Sequence, residues 1–248
     1  MWLSNVDIHH TTRFVFDIEF IGDITKDPLS CHIWDLGCVC SDTGQEFSAV
    51  VMPNLSSQCI DAAFDNGANV TAEKLRNMGA ISTVDALHRF NDWIQQNLSV
   101  TRKHRALLMS HASFRADSIV LDSCMRNCHI NFIGDAMYFD TLLYMRYAMR
   151  GAGLDSYSLE SIAAHLGLSD SSCQEHRALP DARWLHRIMQ CEQVRVSGLG
   201  LAPHQLSTTL VDGIGVATAR FLADRGFSSI NRIVDELRSA DATAGVTL

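Results

Sequence analysis

Asp17 and Glu19 stand two residues apart in Arg13-Phe14-Val15-Phe16-Asp17-Ile18-Glu19-Phe20, a run that is otherwise apolar after its arginine. The aromatic and β-branched content predicts a buried strand. Residues i and i+2 of a strand share a face, so the two carboxylates project together from the middle of a core. Unpaired ionised groups are costly to bury and are normally paired or bound to a metal. Like charges this close resist joint ionisation unless a cation lies between them. The first inference from the chain is therefore a cation site, and the next question is what completes it.

Three more residues fall at the ends of predicted elements. Asp117 follows the apolar strand Ala106 to Ser110 and opens a helical turn closed by Leu121. It also suits the first turn of a helix as an acid facing the macrodipole, which is compatible with holding a metal. Asp181 lies in His176-Arg177-Ala178-Leu179-Pro180-Asp181-Ala182. Pro180 suits the first position of a helix, which places Asp181 in the first turn and His176 in the loop before it. A loop histidine can reach a ligand and move, as a general base must. Four carboxylates offer oxygen donors that match Mg²⁺ or Mn²⁺.

The elements that must hold these residues are legible from periodicity. Strands are predicted over Phe14 to Phe20, His32 to Cys40 and Glu46 to Met52, with Asp42-Thr43-Gly44 as a hairpin turn. Pro53 to Asn69 reads as a loop. Thr83 to Leu98 follows a helical period, with Ala86, Leu87, Phe90, Trp93 and Ile94 on one face. A fourth strand (Ala106 to Ser110), a helix from about Phe114 to Arg126 and a fifth strand (Met137 to Phe139) follow. Further helices are expected near Thr141 to Met149, Ser158 to His165 and Pro180 to Val194. The fold class is α/β: a mixed five-stranded sheet flanked by helices.

With these residues in this order, the chain resembles the DEDDh group of 3′→5′ exonucleases, in the ribonuclease H-like superfamily, over about residues 10 to 192. Asp17-Ile18-Glu19 matches the first motif of that group. His176, with Asp181 five residues later and Ala182 after it, matches the third. Asp140-Thr141-Leu142 and Tyr157-Ser158-Leu159-Glu160-Ser161-Ile162-Ala163 match stretches between motifs. The second motif is His111-Ala112-Ser113-Phe114-Arg115-Ala116-Asp117, with Ala112 where the group has asparagine and Ala116 where it has an aromatic residue. Asp122 is a rival to Asp117. After Glu19, many members carry threonines against the terminal nucleotide; this chain has Phe20-Ile21-Gly22.

The resemblance implies hydrolysis of phosphodiester bonds from a 3′ end, releasing nucleoside 5′-monophosphates. It implies two Mg²⁺ or Mn²⁺ ions, about 3.5–4 Å apart, held by Asp17, Glu19, Asp117 and Asp181, with Asp17 touching both. His176 is the implied base. Phe20, Ile21, His111 and Phe114 are the expected substrate contacts. An exoribonuclease, or a non-catalytic nucleic-acid-binding protein that keeps the fold, are the alternatives.

Ser197-Gly198-Leu199-Gly200-Leu201-Ala202-Pro203 reads as a linker. It separates an exonuclease domain (1–195) from a helical unit (204–248). Leu210-Val211-Asp212-Gly213-Ile214-Gly215-Val216-Ala217 resembles a helix-hairpin-helix motif. Gly213, Ile214 and Gly215 form its expected DNA-binding hairpin, where glycines let a backbone approach a phosphate. That motif favours DNA as the partner. The unit carries five arginines and five acids from Gln193 onward, whereas sequence-independent DNA affinity rests on cationic contacts. A DNA tether and a protein-docking module both remain open readings.

The bulk composition fits this picture. The chain has 248 residues, 47% hydrophobic and 19% charged, with a net charge of −8. The acidity lacks the basic footprint of most nucleic-acid binders, but a formal count omits cations bound at an acidic site. No apolar run is long enough to span a membrane, and no secretory signal is visible. The eight cysteines are scattered, so reduced thiols in an intracellular protein are expected.

Overall fold

The computed structural model describes residues 10–65, 70–113, 115–131, 135–149, 152–168, 177–191 and 194. Six strands form one sheet: β1 (Thr11–Ile21), β2 (His32–Cys40), β3 (Glu46–Met52), β4 (Ile81–Ser82), β5 (Arg105–Ser110) and β6 (Asp135–Asp140). Their order is β4-β3-β2-β1-β5-β6. The β1–β2 and β2–β3 pairs are antiparallel; β3–β4, β1–β5 and β5–β6 are parallel. The helices are α1 (Ser57–Asp65), α2 (Ala72–Asn77), α3 (Thr83–Thr101), α4 (Asp117–Asn127), α5 (Thr141–Ala148), α6 (Leu159–His165) and α7 (Ala178–Gln190). The larger of two compact units, Asp7–Leu142 with Leu154–Cys191, contains the sheet. In the described part of the smaller unit, the Tyr144 hydroxyl donates to the Val194 carbonyl at 2.9 Å.

The mixed α/β class stands, with a sixth strand added. β4 is only two residues long, too short to carry a periodic pattern. The expected loop from Pro53 to Asn69 is corrected: Ser57–Asp65 is helical. It pairs with α2 to cover a small cluster of Ile21, Trp34, Ile60, Val70, Ala72 and Leu75. That packing, rather than local propensity, selects the helix.

Alternation along β1 divides the sheet into two faces. Phe14, Phe16 and Ile18 pack into the main core with Leu36 and Cys38 of β2. α3 supplies Ala86, Leu87, Phe90, Ile94 and Leu98, and α4 supplies Val120, Leu121, Cys124 and Met125. α3 is well delimited. Ser82 caps its first turn by accepting from the Asp85 amide at 3.1 Å, and Arg102 ends it in the left-handed region at φ 56°. Asp17 and Glu19 take the opposite face, as the spacing predicts.

On that opposite face α7 lies directly on β2. A Cβ built on Gly37 would stand 2.2 Å from the Leu179 nitrogen and 2.3 Å from the Ala178 carbonyl carbon. Gly37 is paired across the ladder with Asp17. Only a glycine lets the helix backbone come this close at that point of the sheet. The register then slips: Glu19 faces Asp35, but Phe20 faces Ile33, leaving Trp34 as the extra residue of a bulge. Bulges of this kind re-aim side chains beside functional sites.

Gly37→Ala is expected to destabilise the protein by about 3 kcal/mol, the upper range for overpacking, because the obstruction is backbone and cannot rotate away. Urea denaturation measures this; a loss below about 1 kcal/mol would mean that α7 does not need this seat.

Candidate active site

β1 presents Asp17 and Glu19, and α7 brings Asp181 against them. One carboxylate oxygen from each residue lies within 4.8 Å of the others, and all three side chains are partly buried. α7 begins at Ala178, so Pro180 is its third residue rather than its first. The shift costs no hydrogen bond, since the first four amides of a helix have no partner within it. Asp181 remains in the first turn, and its amide donates to the Arg177 carbonyl at 3.1 Å.

Asp117 opens α4 and is 5% exposed. Its Oδ2 is buried without a hydrogen-bond partner. Burial, followed by the charges of Glu19 and Asp140, pushes its carboxyl up to about 7. For Asp17, burial and then the charges of Asp117, Glu19, Asp181 and Asp35 push the carboxyl well above the usual carboxylate range. These directions describe acids crowded together without a cation. Three converging carboxylates are a donor set that fits a hard divalent cation; Asp117 is not among the three that meet within 4.8 Å, although its charge acts on Asp17.

The rival Asp122 is excluded by its surroundings. It is exposed on α4 and pairs with Arg126 one turn later. Asp140 is buried, and its Oδ1 accepts from the Leu142 amide at 2.9 Å, a structural role at the end of β6.

The expected substrate contacts fare differently. Ile21 is 7% exposed, its side chain packed in the small cluster. Phe20 packs against the main core. His111 is held by both ring nitrogens: Nδ1 lies 3.2 Å from the Thr141 hydroxyl, and Nε2 2.8 Å from the Tyr157 carbonyl. It ties β5 to the segment before α6 rather than reaching for a ligand. Ala112, where the second motif departs from its relatives, sits at φ 60°. Asparagine and glycine adopt that region more easily than alanine. Phe114, His176 and the hairpin residues Gly213, Ile214 and Gly215, with the whole 204–248 unit, lie outside the described residues.

Sequence reasoning passed over Asp35. It is 1% exposed on β2, and its Oδ2 accepts from Arg177 Nε at 2.6 Å and from the Ala178 amide at 3.0 Å. The clue was present: Asp35 is an acid inside the apolar strand Ile33-Trp34-Asp35-Leu36-Gly37-Cys38, the same anomaly that marked Asp17.

If these carboxylates hold a divalent cation, protons and cation compete for them. An acid whose folded-state pKa is raised favours the fold below its ordinary value of 3.8. That contribution disappears as pH rises toward about 7. The rise in thermal midpoint given by millimolar Mg²⁺ should therefore be small near pH 5 and largest above pH 7. Equal rises at both ends would contradict the assignment.

Comparison with known proteins agrees with this geometry. The exonuclease family model of the RNase T type matches residues 14–189. No curated protein matches the chain by sequence. Among solved structures, exonuclease I is similar at 15% identity and a TM-score of 0.53, over 75% of this chain and 42% of that one. E. coli exonuclease I bound to a dT13 oligonucleotide gives 15% identity and 0.54 over the same shares. A product-bound exonuclease I gives 14% and 0.52, over 75% and 44%. The chain thus spans less than half the length of these proteins, and the likeness is one of fold. The match over residues 14–189 takes in β1 with its paired acids, α4 and α7, and the chain belongs to the RNase T family of exonucleases.

Proposed function

We propose that the protein is a 3′→5′ exonuclease that shortens DNA and releases nucleoside 5′-monophosphates with the help of two Mg²⁺ or Mn²⁺ ions. The observation that carries this reading is the convergence of Asp17, Glu19 and Asp181 within 4.8 Å; Asp117, whose Oδ2 is buried without a hydrogen-bond partner, is not one of the three but lies near enough for its charge to act on Asp17. Bound ions would supply an acidified water and offset the charge of the scissile phosphate and of the departing 3′ oxygen.

The protein's own residues do the rest. Asp17, Glu19 and Asp181 would hold the ions from β1 and α7, and Asp117 would add a donor from α4. Their rigid seats on a strand and on two helix starts preserve the spacing of the donors. His176, immediately before Arg177 in the chain, accepts the proton of the attacking water. The 3′→5′ direction rests on the DEDDh motif order. DNA is supported by the helix-hairpin-helix resemblance and by the oligonucleotide bound to E. coli exonuclease I, which shares this fold. Among the described residues no helix is long and apolar enough to cross a membrane.

Single-stranded DNA labelled at its 5′ end tests the proposal. With Mg²⁺ the label should move through a ladder of progressively shorter products, and Asp17→Ala should abolish the ladder. A labelled mononucleotide as first product would reverse the direction. Shortening of RNA but not of DNA would overturn the substrate.

His176→Ala should slow the reaction by ~10²–10⁴-fold, the usual contribution of a positioned base, while leaving Mn²⁺ affinity near that of the wild type. Full activity in this variant would remove His176 from the mechanism.

A further inference from the structure

The helix that delivers Asp181 is capped from another element. Arg177 is its N-cap residue and makes no side-chain cap bond of its own. The missing acceptor comes from β2: Asp35 Oδ2 takes the Ala178 amide at 3.0 Å and Arg177 Nε at 2.6 Å, and Oδ1 lies 3.4 Å from Arg177 Nη2. The Asp35 side chain is almost wholly buried, and the Arg177 side chain is three-quarters buried. The contact spans 142 positions of chain.

Its register matters more than its burial. Asp35 is paired across the ladder with Glu19, and Gly37 with Asp17. Directly paired residues of an antiparallel ladder share a face. The cap and the glycine seat therefore stand beside the two β1 carboxylates, one opposite each. Together they set where the first turn of α7 begins, and Asp181 follows Arg177 by four residues.

Building on the metal-dependent reading above, we propose that Asp35 and Arg177 are positioning residues: their pair fixes the start of α7 so that the Asp181 carboxylate meets those of Asp17 and Glu19. The pair touches no substrate. It acts through Asp181, as groups that orient metal-binding carboxylates do. Another α7 ion pair, Arg183 with Glu46, is exposed and lies farther along the helix, so it makes a matched control.

Mn²⁺ binding to the full chain, followed by electron paramagnetic resonance without nucleic acid, gives a readout that does not depend on cleavage. Arg177→Gln and Asp35→Asn should each weaken Mn²⁺ binding by about 10–100-fold, the usual range for residues behind a ligand, and Arg177→Lys should fall between them and the wild type. Arg183→Gln should bind as the wild type does. On nucleic acid, the Arg177 and Asp35 variants should lose kcat at saturating Mn²⁺ with KM little changed. Thermal melting shows which variants remain folded, and Arg177→Lys, the mildest change, keeps the test open if Asp35→Asn unfolds. Wild-type Mn²⁺ affinity in folded Arg177→Gln, or an equal loss in Arg183→Gln, overturns the proposal. A wild type that binds Mn²⁺ but cleaves nothing defeats the exonuclease reading instead.

Discussion

The burial of carboxylates beside one another is the constraint on which this structure turns. Asp17, Glu19, Asp117 and Asp181 come from three different elements, and burial, reinforced by the charges of neighbouring acids, holds Asp17 and Asp117 toward their neutral forms. A fold would not keep such an arrangement for stability, since replacing buried charge by apolar groups is commonly neutral or favourable. The arrangement makes sense where divalent cations complete it. The surrounding design then has a consistent purpose. β1 is pinned between β2 and β5 at the centre of the sheet, phenylalanines pack its reverse face, and α7 is pressed onto β2 with a glycine as its seat.

Much of this was legible in the amino-acid sequence. The spacing of the acids in an apolar strand announced that Asp17 and Glu19 share a face, and the period of Ala86, Leu87, Phe90 and Ile94 announced α3. Asp42-Thr43-Gly44 announced the hairpin, confirmed by Gly44 at φ 73°. What escaped was set by tertiary contact. α1 is helical because it covers Ile21 and Trp34, residues far from it in the chain. α7 starts two residues before Pro180 because Asp35 supplies a cap that no local residue provides. β4 exists because two residues happen to reach Val51 and Met52 of β3.

The same distinction applies to the site. Residue types and spacing singled out Asp17, Glu19 and Asp181, which the structure brings together. They did not identify what positions those carboxylates. The roles of Asp35, Gly37 and Arg177 depend on register across β1 and β2 and on contacts more than a hundred residues apart. His111 shows the converse. The family resemblance implied contact with a substrate, yet both ring nitrogens are engaged inside the protein.

The central claim is that Asp17, Glu19 and Asp181 converge in order to hold a divalent cation. A crystal grown with Mn²⁺ and measured for anomalous scattering tests it most directly. The account predicts an anomalous peak bridged by oxygens of those three carboxylates, with Asp117 reaching the same site. A well-ordered site without such a peak at saturating Mn²⁺, or a peak held by other residues, would contradict it.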